Sequence, residues 1–119
     1  MDKYLIGLLG EAAASGLAKG YSFRYPIFKE AYENERKHWN YFKRFRDSFL
    51  EKPFYYAFLL LGFLTSILGL RAVKKLNEIV EKGAIDFYRK NFDVENDPEI
   101  HEILNDEIRH LELSKPSNS

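Results

Sequence analysis

Asp106-Glu107-Ile108-Arg109-His110 is the stretch whose reading decides the fold. Glu107 and His110 stand three residues apart, and so do Glu35 and His38 in the earlier run Glu35-Arg36-Lys37-His38. In an α-helix that spacing sets a carboxylate and an imidazole side by side on one face. Two such pairs on two helices, joined by one Glu from each of two further helices, make a two-metal carboxylate site inside a four-helix bundle. The chain must then supply those other helices, each with an inward Glu.

Around the opening stretch, residues 98–113 read as a helix. Asp97 caps it, Pro98 takes its first position, and Ile100, Ile103, Leu104, Glu107 and Leu111 form its apolar stripe. The other pair lies in a helix predicted over residues 26–50. There Phe28, Glu35, Phe42 and Phe49 share one row, and Ala31, His38 and Phe45 share the next. A carboxylate inside an apolar stripe is costly unless it is paired or binds metal.

Residues 2–19 give a further helix through Tyr4, Leu5, Leu8, Leu9 and Ala12, with Glu11 on the margin of the apolar face and Gly20 and Tyr25-Pro26 marking the end. Residues 71–91 give another, with Val73, Leu76, Val80, Ala84 and Phe87 inward and Glu81 bordering them. Taken on their own helices, Glu11 and Glu81 are unremarkable surface-margin residues. Hairpin geometry singles them out. If Glu11 faces Glu35/His38 across an antiparallel pair, the turn centres near residue 24, inside Gly20–Pro26; for Glu81 against Glu107/His110 it centres near residue 95, inside the polar run Asn91–Asp97.

Phe54–Leu70 is uncharged and apolar on every side, so it is either buried or lies against a membrane. Roughly 20 helical residues span ~30 Å, the length of a bundle helix. The segment can therefore carry the chain back along the bundle as a helical crossover. A membrane-spanning role is disfavoured by that geometry, while a dimer interface or a membrane-surface contact would account for the excess apolarity.

Composition sets the limits. At 119 residues the chain is one domain, read here as a bundle over 1–113 and a polar disordered tail over 114–119. Lys+Arg and Asp+Glu are 18 each, so no basic field invites nucleic acid. The absence of cysteine removes disulfides, iron–sulfur clusters and thiol catalysis, and any metal must rely on Glu, Asp and His. Tyr4–Gly10 followed by Ala12-Ala13-Ala14-Ser15-Gly16 has the outline of a secretory signal. Asp2 beside Lys3 and the charge at Glu11 argue against cleavage, and the expected location is the cytoplasm.

With these residues in place, the sequence resembles the ferritin-like di-iron carboxylate proteins, an all-α family of four-helix bundles with one long crossover between helices 2 and 3. The family pattern of Glu, Glu-x-x-His, Glu and Asp/Glu-Glu-x-Arg-His is matched by Glu11, Glu35–His38, Glu81 and Asp106–His110. Gly69-Leu70 through Glu81-Lys82-Gly83-Ala84-Ile85 to Tyr88 is similar to rubrerythrin and to the ferritin-like domains attached to vacuolar-type iron transporters. The demethoxyubiquinone hydroxylases are a more distant likeness. A chain without cysteine departs from rubrerythrin proper, which carries a four-cysteine iron site as electron donor.

The resemblance implies two iron ions, with manganese or zinc as alternatives, held by Glu11, Glu35, His38, Glu81, Glu107 and His110. It implies that Asp106, steadied by Arg109, supports His38 of the opposite pair, and that Glu78 is a possible additional ligand. The expected function is an oxidoreductase that reacts Fe(II) with O2 or H2O2, in iron oxidation or peroxide reduction. It would draw on an unidentified electron donor and work as a homodimer. The alternatives are a membrane-associated quinone-type hydroxylase and a non-enzymatic structural or assembly bundle.

Overall fold

The computed structural model describes residues 2–116, and all of the regular structure among them is helical. The order is α1 (Lys3–Ser22), a single 3-10 turn (Pro26–Phe28), α2 (Lys29–Lys43), α3 (Glu51–Leu68), α4 (Leu70–Asn91) and α5 (Pro98–Glu112). Asp2 starts α1 by accepting from the Tyr4 and Leu5 amides, and Asp97 starts α5 by accepting from Glu99 and Ile100.

Pairs of contacts along the helices give their directions. Tyr4 packs on Phe45 and Tyr21 on Phe28, so α1 and α2 are antiparallel. Arg44 meets Glu99 and His38 meets Asp106, so α2 and α5 are antiparallel. Asn77 of α4 donates to the His110 carbonyl near the end of α5, and Lys3 of α1 donates to the Asn91 carbonyl at the end of α4. Four helices therefore surround one interior with their site residues at matching heights.

That interior is layered. One apolar cluster joins Leu8, Phe42, Ile85, Tyr88, Ile100, Ile103 and Leu104; a second joins Leu17, Ala18, Tyr21, Phe28, Ala31 and Val73. On every one of the four helices the inward acid falls between these two clusters: Glu11 between Leu8 and Leu17, Glu35 between Ala31 and Phe42, Glu81 between Val73 and Ile85, and Glu107 just beyond Leu104. The polar layer is closed above and below by hydrocarbon.

Helix α3 leaves the corner after α2 and runs alongside α1. A methyl group on Gly16 would strike the Tyr55 carbonyl, one on Gly20 would strike Leu59 and Phe63, and one on Gly62 would strike Leu17. The contacts advance together along both chains, so α1 and α3 are parallel. Their backbones approach more closely than any Cβ allows. Gly20, read from sequence as a stop, is instead a contact residue, and α1 continues through it to Ser22. Gly69, with φ +117°, then turns the chain into α4 through a conformation that suits glycine.

The second helix also differs from its expected span of 26–50. It ends at Lys43, because the chain turns there to start α3. Ser48 Oγ accepts from the Leu50 amide while Glu51 Oε2 accepts from the Ser48 amide, a reciprocal capping pair. Buried Glu51 also accepts from Trp39 Nε1 and Lys43 Nζ, which fixes the corner. As a consequence Phe45 and Phe49, placed in the apolar rows by the longer helix, are exposed.

The outer side of α3 presents Tyr56, Leu60, Leu64, Ile67 and Leu68 to solvent. No helix among the described residues is long and apolar enough to cross a membrane. At the other end of the chain, Ser114 accepts from Asn77 Nδ2 and the Lys115 carbonyl accepts from Lys74, so the first residues of the expected tail are tied to α4. Residues 117–119 of that tail lie outside the described residues.

Candidate metal centre

Glu11, Glu35, His38, Glu81, Glu107 and His110 come from four helices into one buried layer, and Glu107 is fully buried. Their ligand atoms fall into two groups. Glu11, Glu35, His38 and Glu107 offer one atom each, all within 4.8 Å of one another, and Glu35, Glu81, Glu107 and His110 do the same. Glu35 and Glu107 belong to both. Glu11 and His38 serve one group alone, and Glu81 and His110 serve the other.

The distances show how the shared acids stand. Glu35 Oε1 lies 3.3 Å from His38 Nδ1 and 3.2 Å from His110 Nδ1. Glu107 Oε1 lies 3.5 Å from His38 Nδ1 and 3.3 Å from His110 Nδ1. Each shared carboxylate therefore sits between both imidazoles. Glu11 Oε2 is 2.8 Å from His38 Nδ1, and Glu81 Oε2 is 3.9 Å from His110 Nδ1.

Both imidazoles point Nδ1 inward and Nε2 outward. His38 Nε2 donates to Asp106 Oδ2 at 2.8 Å, and Arg109 holds the other oxygen of Asp106 at 2.6 Å. On the opposite side, His110 Nε2 donates to Asn34 Oδ1 at 3.0 Å. An outer acceptor of this kind fixes the ring and leaves the inner nitrogen's lone pair free for a cation. Asn34 precedes Glu35 as Asp106 precedes Glu107, so each Glu-x-x-His element carries the support for the other element's histidine. Sequence reading identified Asp106 and passed over Asn34, although it occupies the same place in its motif.

Glu78 does not join the layer. It faces Lys75 at 3.3 Å and Lys82 at 3.9 Å on the outer side of α4.

Chemically, the layer is short of positive charge. Both oxygens of Glu35 and of Glu107, one of Glu81, and Nδ1 of His110 are buried without a hydrogen-bond partner. Buried polar atoms are nearly always satisfied, and unpaired buried carboxylates are costly. Here the orphaned atoms are concentrated on the residues shared by the two groups, or placed beside them. Two divalent cations would balance four carboxylates and satisfy these atoms. The donor set of carboxylate oxygens and imidazole nitrogens suits iron, manganese or zinc.

Without cations, protons must do that work. Burial, with the Glu107 charge beside it, pushes the Glu11 carboxyl up to about 7. Burial and neighbouring carboxylates push Glu35 and Glu81 well above the usual range. Burial also acts to raise Glu107, but its close approach to Glu35 and to the His110 and His38 imidazoles outweighs it and holds that carboxyl low. Burial opposes charge on His38 and His110, yet the surrounding acids raise both imidazoles. Tyr88, buried against Glu11, has its phenol pushed well up by desolvation and by the nearby carboxylates.

Compared with known proteins, the chain matches no family model and no curated protein sequence.

Proposed function

We propose that this chain is a ferritin-like four-helix bundle, with α3 as the crossover between its second and third bundle helices, and that the buried layer holds two iron ions for reaction with O2 or H2O2. The observation that carries this reading is the sharing of Glu35 and Glu107 between two complete ligand groups. A single cation needs one group. Two overlapping groups with common carboxylates would hold two ions side by side, as in two-metal sites.

Bound there as Fe(II), the pair would supply two electrons, enough with two protons to reduce one hydrogen peroxide to two waters. The protein's part is to hold and insulate. Glu35 and Glu107 would serve both ions, Glu11 and His38 would serve one alone, and Glu81 and His110 would serve the other. Asp106 and Asn34 keep the rings turned. The two apolar clusters exclude bulk water from either end. The apolar outer face of α3 supports a homodimer in which a second chain covers it.

A second reading is a bundle whose Glu–His contacts only hold the core together, which the 2.8 Å Glu11–His38 ion pair favours. A self-sufficient polar core would leave few partnerless atoms, whereas here they cluster on Glu35, Glu107 and His110. Adding Fe(II) anaerobically to the metal-free chain, followed by O2 or H2O2, separates the two. Uptake of two ions per chain and rapid oxidation support the di-iron reading. A chain that takes up no iron is the structural bundle.

A further inference from the structure

Between α1 and α4 an apolar recess of about 220 Å³ opens from the surface down to the metal layer. Ile6, Ala14, Val80, Ala84 and Phe87 line its walls, and Glu11 and Tyr88 stand at its buried end. Two glycines, Gly10 and Gly83, are exposed along its length, one on each helix. Both lie inside helices, where glycine weakens the structure.

The other glycines of α1 have a packing reason. Gly7 makes room for the Phe42 ring, and Gly16 and Gly20 for the backbone of α3. Gly10 and Gly83 have none, since nothing beyond their own stretch of helix lies within 4 Å of where either Cβ would stand. What their missing side chains leave clear is the recess itself. Any larger residue at either position would narrow it.

We propose that this recess is a binding site for a small apolar molecule of single-ring size, delivered against Glu11. An apolar protein cavity of about 150 Å³ admits benzene, so this volume accommodates a substituted ring; it falls below the roughly 300 Å³ at which drug-sized pockets begin. The walls offer hydrocarbon, and the only polar side chains among the lining residues are those of Glu11 and Tyr88, both buried. That the molecule there lies next to the metals rests on the di-iron reading above. That it binds does not.

The test uses the full chain, metal-free and loaded with redox-silent Zn(II), titrated with toluene and with phenol while backbone amide shifts are followed by NMR. Saturable shifts at Gly10, Gly83 and Ala84, with millimolar or tighter affinity, are expected. Gly83→Leu should weaken binding at least tenfold while leaving Zn(II) uptake intact and the thermal midpoint unchanged or raised. Gly83→Ala, with its smaller intrusion, should fall between the two. Toluene binding by a chain that takes up no Zn(II) would uphold the recess and remove the two-metal reading. The proposal is overturned if neither probe gives saturable shifts, if Gly83→Leu binds as well as the original chain, or if the shifts track protein concentration as a second copy covers the recess.

Discussion

Asn34 of α2 accepts a 3.0 Å hydrogen bond from His110 of α5, and it does so from the position in its own motif that Asp106 holds in the other. The two halves of the centre are cross-supported. Each motif supplies an inward Glu and His, and also the outer acceptor that orients its neighbour's imidazole. The supports differ in one respect: Asp106 is a carboxylate braced by Arg109, and Asn34 is a neutral amide. His38 is therefore the more basic imidazole and His110 the less.

Removing the neutral support should weaken one metal position selectively. For Asn34→Ala we expect a loss of about 10–100-fold in affinity at the Glu81/His110 position, the usual penalty for an outer partner of a ligating histidine. The position served by Glu11 and His38 should keep its affinity. Stepwise titration with Co(II), read by absorbance, checks this. Equal weakening of both steps would contradict the assignment.

The shared and unshared acids should behave differently. Glu35→Ala or Glu107→Ala removes a ligand from both groups, so each is expected to abolish uptake of both ions. Glu11→Ala or Glu81→Ala removes a ligand from one group and should leave one ion bound. Elemental analysis of the four purified variants measures the stoichiometry. In the metal-free state Glu35→Ala and Glu81→Ala remove carboxyls that burial disfavours, and stability should hold or rise by about 1–3 kcal/mol, whereas Glu107→Ala should lower it.

Stability of the metal-free chain should fall as pH rises. Glu11 titrates at about 7 in the fold against an ordinary 4.5, so across that window the folded chain binds the extra proton. Its contribution is present below 4.5 and is lost on the way to 7. Glu35 and Glu81, also raised, act in the same direction, and the raised His38 and His110 extend the loss above 6.5. Glu107, held low, contributes stability above 4.5 that disappears only in acid. Cation binding displaces these protons, so metal affinity rises with pH. Thermal unfolding in a chelator should give a lower midpoint at pH 8 than at pH 5.5. Zn(II) at about 100 times its dissociation constant should then add about 2.7 kcal/mol. A flat profile in the chelator would count against the coupling.

The seam between α1 and α3 should be intolerant of even one methyl group. Gly20→Ala places a Cβ against the Phe63 amide nitrogen and 2.6 Å from the Leu59 carbonyl oxygen. Since both obstacles are backbone, the helices must separate, at a cost of about 1–3 kcal/mol. Denaturant unfolding measures it. The buried Glu/His layer lies on the other side of α1, so metal uptake should be retained.

Much of this was legible in the residues. Helical periodicity located five helices, and the two Glu-x-x-His spacings placed four of the inward groups. Glu11 and Glu81 lie where periodicity alone assigns a surface margin. They were found because a hairpin must bring equal heights together, a relation between helices rather than within one. Three features stayed hidden for physical reasons. Aromatic rows continue through Phe45 and Phe49, so periodicity ran past the end of α2, while the signal that stops it, Ser48-Phe49-Leu50-Glu51, is a capping pattern. Gly20 looks like a helix stop until α3 is known to press on it. Asn34 carries no charge to mark it, and only its place before Glu35, matched to Asp106 before Glu107, gives it away.

The central claim is that Glu35 and Glu107 lie between two cations in one buried layer. Anomalous diffraction from crystals of the chain loaded with Fe(II) under anaerobic conditions tests it directly. Two iron peaks per chain, about 3.5–4 Å apart and both within ligand distance of Glu35 and Glu107, are the expected result. A single peak, or none between these two carboxylates, would contradict the account.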